Sequence, residues 1–418
     1  MHPARVLAWP FDAPMMSIKP TAPVAPRRVL PVLVLAQLAG TSPWFAVNAV
    51  MPELQAEYGF GAAAVGTLSA AIQGGFIAGT LVFALLAVAD RVSARLVFLV
   101  CALLAALCTL AAAAAASSMP ALVAWRALTG FCIAGIYPVG MKIASQWFPH
   151  GLGNALGWLV GALVLGSASP HLMRAAGAAF DWRAVFVCVA AVTAAGGTLL
   201  VLALPEPPHA LRPAGLRLGA LAALWQHRLV RASVLGYFGH MWELYTVWVL
   251  VPIVLASRLS GAATVSAWAF AVLGVGALGC VVGGLLAHRH GSARVAAAQL
   301  AVSGLCCLAA PWLLAAPLPL FLAWLLVWGV TVVGDSPQFS ALTAGNAPRE
   351  SVGSVLTLTN CIGFAISALS IAGFVRLAQA WPLANLLPWL ALGPALGLIA
   401  LRPLLQASSP KPPPARAR

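Results

Sequence analysis

The stretch "GYFGHMWELYTVW", which begins at Gly236, sets His240 and Glu243 three residues apart in an otherwise apolar and aromatic run. Imidazole titrates near neutral pH, and a carboxylate exchanges protons or binds cations, so the two residues together could relay a proton. At helical spacing i and i+3 they share one face. A charge at the centre of a membrane helix costs about 2.5–3.5 kcal/mol and is therefore kept for function or paired. Two readings stand. Glu243, aided by His240, takes up and releases a proton or binds a cationic group, or the residues form a static link to each other or to another helix. Arg126 offers a fixed cation that would bind a carboxylate or another anion. Asp335, in "GDSPQ", lies beside Pro337, which perturbs a helix and frees backbone carbonyls. It is either a second coupling acid or a hydrogen-bond partner of the broken turn.

The elements that must position these groups follow from the composition. The chain has 418 residues, of which 62% are hydrophobic and 8% charged, and its mean hydropathy is +0.96. Most of its surface must face lipid. Apolar segments long enough to cross a hydrocarbon core of about 30 Å are expected near 29–51, 63–88, 94–115, 119–146, 153–174 and 184–204. A second set is expected near 230–256, 263–287, 294–315, 318–344, 352–376 and 382–404. The fold class is thus an all-α membrane protein with twelve transmembrane helices. Six helices in 29–204 and six in 230–404 form two bundles, joined by a Pro- and Arg-containing cytoplasmic linker at 205–229. Residues 1–28 and 405–418, rich in Pro and basic residues, read as disordered cytoplasmic tails, with translation starting at Met1 or at Met15 or Met16. A rise of about 1.5 Å per residue from position 230 puts Glu243 near the bilayer centre.

The formal charge of +14 does not imply nucleic acid, because Lys and Arg gather at alternate helix ends. Arg27, Arg28, Arg91, Arg95, Lys142, Arg212, Arg217, Arg228, Arg231, Arg289, Arg294, Arg349 and Arg402 fall on one side, which makes both termini cytoplasmic. Arg174, Arg183, Arg258 and Arg376 fall on the other, with Glu53, Glu57 and Asp181. All eight cysteines lie in apolar segments and none forms CxxC, so they read as small core residues rather than a metal site. His288 and His290 read as loop residues, and the role of His171 stays open. No HExxH, GxSxG or phosphate-binding glycine loop occurs, so no enzyme chemistry and no cofactor are expected.

The two halves also resemble each other. "YPVGMKIASQWFPHGLGNALG" from Tyr137 aligns with "SPQFSALTAGNAPRESVGSVL" from Ser336, pairing Pro138 with Pro337 and Pro149 with Pro348. "ADRVSAR" (Ala89 to Arg95) has its counterpart in "AHRHGSAR" (Ala287 to Arg294). Internal duplication with a site between the repeats is how many secondary transporters are built.

"LAVADRVSAR" also resembles the loop motif of the Major Facilitator Superfamily, G-x-x-x-D-R-x-G-R-[KR]. Asp90, Arg91 and Arg95 match, while Leu86, Ser93 and Ala94 depart from it. "WRALTGFCIAGIYPVGMKIASQWFP" is similar to that family's fourth helix. The resemblance spans the chain and implies a secondary transporter working by alternating access, with lipid as surroundings and a small-molecule substrate and proton as partners. It implies a gating role for Asp90, Arg91, Arg95 and their repeat counterpart Arg289; the plainer reading is solvated loop charges that orient the protein. It allows Arg126 to tie helices together or aid proton movement instead of touching solute. It also places helices 1, 4, 7 and 10 around the cavity, where the polar residues Gln37, Thr41, Ser42, Asn48, Thr129, Tyr137 and Gln338 join the candidates above. Tyr237, Trp242, Tyr245 and Trp248 either line that pocket or pack on lipid. The second and eighth helices lack the arginines of nitrate porters, which argues against nitrate. A small polar or anionic solute with proton coupling is expected; drug or metabolite efflux is the alternative, and a non-transporting receptor a further one. Alanine- and glycine-rich helices with short loops suggest a bacterial inner-membrane protein, functioning as a monomer.

Overall fold

The computed structural model describes residues 26–148, 152–177, 181–206, 216, 219, 225–348 and 350–407. Residues 1–25 of the expected N-terminal tail, most of the linker, the last eleven residues, and Pro149, Arg212, Arg217 and Arg349 lie outside the described residues. Among those described there are helices and no strands. Twelve spans are long and apolar enough to cross a membrane: α1 Val29–Ala49, α2 Ala64–Leu85, α3 Ala94–Ala114, α4 Met119–Trp147, α5 Asn154–Ala176, α6 Arg183–Ala203, α7 Arg228–Ala256, α8 Ala262–His290, α9 Ser292–Leu313, α10 Leu318–Asn346, α11 Val352–Leu377 and α12 Leu383–Ala407. An even number of crossings puts Val29 and Ala407 on one side, here called the terminal face, with the far face opposite. Leu107, Leu202, Leu305 and Leu369 are exposed on the outside of the spans, as lipid contact requires.

Five spans that the sequence reads as single helices are interrupted. In α1 a 3-10 turn, Ser42–Phe45, follows the helix Val29–Thr41, because Pro43 has no N–H to offer the preceding turn. The hydroxyls of Thr41 and Ser42 return to the carbonyls of Gln37 and Ala39 at 2.9 and 2.8 Å. In α4 and α10 an eleven-residue segment begins afresh at corresponding points of the two halves, Tyr137–Trp147 and Ser336–Asn346, each with proline in its first turn. The breaks in α8 and α12 fall at Val275 and at the 3-10 turn Leu387–Ala391.

The halves meet along two seams, α2 against α11 and α5 against α8. Within the halves, helices approach until backbones touch. Any Cβ at Gly75 or Gly130 would collide with a carbonyl across the α2–α4 contact, and Gly239 and Gly393 do the same for α7 and α12.

Candidate functional site

The sequence sets His240 and Glu243 on one face, but the fold gives them different partners. His240 Nδ1 lies 2.8 Å from Asp335 Oδ1, a close contact without the alignment of a hydrogen bond that is an ion pair when the imidazole carries a proton, and each side chain is 1% exposed. Asp335 is the joint between the helical segments Leu318–Gly334 and Ser336–Asn346 of α10. Tyr237 and Phe339 flank the imidazole at ring distances of 5.7 and 5.9 Å. Glu243 turns instead toward α9 and the first segment of α10. Its Oε1 accepts from Ser303 Oγ at 2.5 Å, Trp328 Nε1 at 2.7 Å and, more weakly, Cys307 Sγ at 3.2 Å. Of the two static links open from the sequence, a His240–Glu243 contact is absent and a link from Glu243 to other helices is present; both residues bind within the second bundle, His240 to the α10 joint and Glu243 to α9 and the first segment of α10.

Arg126 is equally committed. Its Nη1 and Nη2 donate to the carbonyls of Pro43 and Trp44 at 2.8 and 2.5 Å, at the break in α1. This fixes the turn carrying Trp44 and Phe45, whose rings cross to the other half. Trp44 stacks on Tyr245 at 5.7 Å and meets Phe76 and Phe364, while Phe45 lies against Trp248 at 5.7 Å. Tyr245 and Trp248 are buried in this inter-bundle cluster, and Tyr237 is buried beside His240. Trp242 is half-buried beside Phe374 instead. Gln37 is fully buried against Gly140 with neither amide atom hydrogen-bonded, and Asn48 donates to Ser69 Oγ at 2.9 Å. Gln73 Nε2 reaches Ser367 Oγ at 3.1 Å across the α2–α11 seam and keeps an unpartnered Oε1.

At the terminal face Asp90 pairs with Lys142 of its own half, not across to the other, and Lys142 Nζ also donates to the Ala89 carbonyl at 2.5 Å. Arg95 meets Glu206 at 3.3 Å, and Ser93 donates to the same carboxylate at 2.8 Å. Arg91 and Arg289 are exposed. At the far face the short helix Met51–Tyr58 is pinned by Glu53–Arg174 and Glu57–Arg183 pairs. The Arg183 guanidinium, then Trp182 and Tyr58, hold the Glu57 carboxyl down to about 2. Of the cysteines, seven are buried; Cys188 is exposed, contrary to a core role.

Sequence reasoning missed Trp44, Phe45, Phe76, Phe364, Gln73 and the donors around Glu243. A lone Gln within an apolar helix was a usable signal for Gln73. The rings carried none, since aromatic residues sit equally well in lipid.

The comparisons with known proteins agree with this architecture. No curated protein sequence matches the chain. Among solved structures, the proton:xylose symporter XylE has a TM-score of 0.73 at 14% identity, covering 91% of this chain and 95% of its own. The human organic anion transporter MFSD10 (TETRAN) has a TM-score of 0.71 at 16% identity, covering 90% and 99%. The nucleoside transporter NupG has a TM-score of 0.69 at 13% identity, again covering 90% and 99%. These likenesses establish the fold. The profile of the Major Facilitator Superfamily matches residues 33–372, most of the length, and the chain belongs to that superfamily.

Proposed function

We propose that the protein is a secondary active transporter that carries a small polar or anionic solute by alternating access, driven by protons. Members of the superfamily are transporters rather than enzymes. The observation that carries proton coupling is the His240–Asp335 pair, two ionisable groups buried inside the membrane at the joint of a broken helix. A proton placed on Asp335 cancels its charge and its attraction to His240, which loosens α7 from α10. Loss of the proton restores the pair. Binding and release of one proton is thereby linked to movement of the segment Ser336–Asn346. Glu243 is a positioning residue in this reading, since three donors already hold it within the second bundle. The buried oxygen of Gln73 and the amide of Gln37 favour a polar solute, because each has hydrogen-bonding capacity to offer. Short loops and the distribution of Arg support a bacterial inner-membrane location with the terminal face cytoplasmic, and a monomer suffices.

The ring cluster of Trp44, Phe45, Phe76, Tyr245, Trp248 and Phe364 favours a second reading, export of a compound with an apolar or aromatic body in exchange for protons. The direction of flux in vesicles with an imposed pH gradient separates the two.

The test begins with a thermal-shift screen of the purified protein against sugars, nucleosides, amino acids and organic acids, followed by uptake of the hit into proteoliposomes. Asp335→Asn is expected to abolish pH-driven accumulation while leaving solute exchange intact. Full accumulation by a stable Asp335→Asn protein would remove the pair from the coupling path.

A further inference from the structure

The duplication exposes a difference between the halves at the terminal face. In the first half, Lys142 occupies the corner between the end of α2 and the second segment of α4, bonded to Asp90 and to the Ala89 carbonyl. The sequence repeat assigns Ala287 to Ala89, His288 to Asp90, Ser292 to Ser93 and, through the pairing of Pro138 with Pro337, Ala341 to Lys142. Where lysine fills the first half, the second has a methyl group. A cavity of about 110 Å³ stands there, lined by Ala287, His288, Ser292, Gln338 and Ala341, and by Leu156 from α5 of the other bundle. That space holds several waters or one small anion.

Its chemistry differs in sign from that of the lost lysine. The carbonyl corresponding to the one that takes Lys142, that of Ala287, already accepts from Gly291 N–H at 2.9 Å, which leaves it one lone pair and a weaker draw for a cation. The carboxylate of Asp90 has become an imidazole. Ser93, the counterpart of Ser292, donates to a carboxylate, that of Glu206, at 2.8 Å. No acid occurs in residues 400–407, at the corresponding end of the second half. Arg289, exposed next to His288, keeps the basic charge of Arg91. Hydroxyl, imidazole and side-chain amide make a donor-bearing corner that lacks the carboxylate of Asp90.

We propose that this cavity is an anion site that takes a phosphate group at the seam between the bundles. Because Leu156 of α5 forms one wall and α8, the start of α9 and α10 the others, an occupant contacts both halves. It therefore favours the arrangement in which α5 lies against α8, and biases the transport cycle without meeting the solute. A free phosphate and a lipid headgroup share this chemistry.

The test is thermal stability of the purified full chain, measured with inorganic phosphate, with dioleoylphosphatidylglycerol in mixed micelles, and with ethylammonium chloride at matched ionic strength. Three proteins are compared: wild type, Ala341→Leu, which fills the cavity, and His288→Asp with Ala341→Lys, which rebuilds the ion pair of the first half. The wild type is expected to show a saturable rise in Tm with phosphate, with the lipid, or with both, and none with ethylammonium. Phosphate alone names a soluble ligand; the lipid alone names a headgroup. Both variants are expected to lose the rise, and the double variant to start from a Tm at or above that of the wild type. Equal rises in all three proteins, stabilisation by ethylammonium only, or no rise with any probe would overturn the site.

Discussion

At the residue scale, spacing and direction part company at His240 and Glu243. Three steps of about 100° leave their side chains about 60° apart around the helix, which is enough to aim one at the α10 joint and the other at α9. The sequence therefore made both residues legible as buried and polar, but not their partners, because those come from helices 60 to 95 residues away. The bonding of Glu243 separates a positioning role from a coupling one. Glutamine keeps an oxygen for Ser303 and Trp328, so Glu243→Gln should retain pH-driven accumulation and lower Tm only slightly. Glu243→Ala leaves these donors buried without an acceptor, at a cost of about 1–3 kcal/mol each, and should unfold at clearly lower temperature. Accumulation abolished in a stable Glu243→Gln protein would return the coupling role to this carboxylate.

At the element scale, the breaks in the spans decide where function concentrates. Pro337 signalled the joint at Asp335 from sequence alone, since it stands in the turn that it disrupts. The break in α1 was not legible as one: Pro43 lies in a run apolar enough to read as unbroken helix, and its repair comes from Arg126 on another span. Lysine at 126 gathers its donors on one atom at the end of a flexible stem, so it cannot span the carbonyls of Pro43 and Trp44 with the two rigidly spaced nitrogens of a guanidinium. Arg126→Lys should therefore lose about 1.5–3 kcal/mol of stability, seen as a lower Tm, together with a slower transport rate. A raised KM with unchanged Tm would instead make Arg126 a solute contact. The short helix Met51–Tyr58 offers a pH test outside the membrane. Glu57 has its carboxyl depressed to about 2, below the usual carboxylate range, so its pairing with Arg183 contributes stability above the unfolded-state value near 4.5. That contribution is lost as pH falls toward about 2. The Tm gap between wild type and Glu57→Gln should be present at pH 6 and close on acidification; a gap constant down to pH 3 and below would show that the carboxylate charge plays no part.

At the scale of the whole molecule, twelve spans and their duplication were legible because apolar length and repeated prolines are local properties of the chain. The seams were not, because α2 and α11 meet through side chains nearly three hundred positions apart, as Gln73 and Ser367 do. Alternating access requires such a seam to part. Near the far face, a Cβ placed on Gly66 of α2 would lie 3.1 Å from Val375 Cβ of α11. Disulfides span about 3.5–4.5 Å between Cβ atoms, so cysteines at both positions can be joined with a small outward shift. The native thiols are almost all buried, and Cys188→Ser removes the exposed one. Oxidised Gly66→Cys/Val375→Cys protein should bind solute in the thermal-shift assay yet transport none, and reduction should restore flux. The same oxidation should leave the Cys188→Ser parent active. Binding retained with flux lost separates a locked carrier from a misfolded one. Full flux through the cross-linked protein would mean that this seam stays shut throughout the cycle, and parting of the two bundles between α2 and α11 could not be the motion that carries the solute.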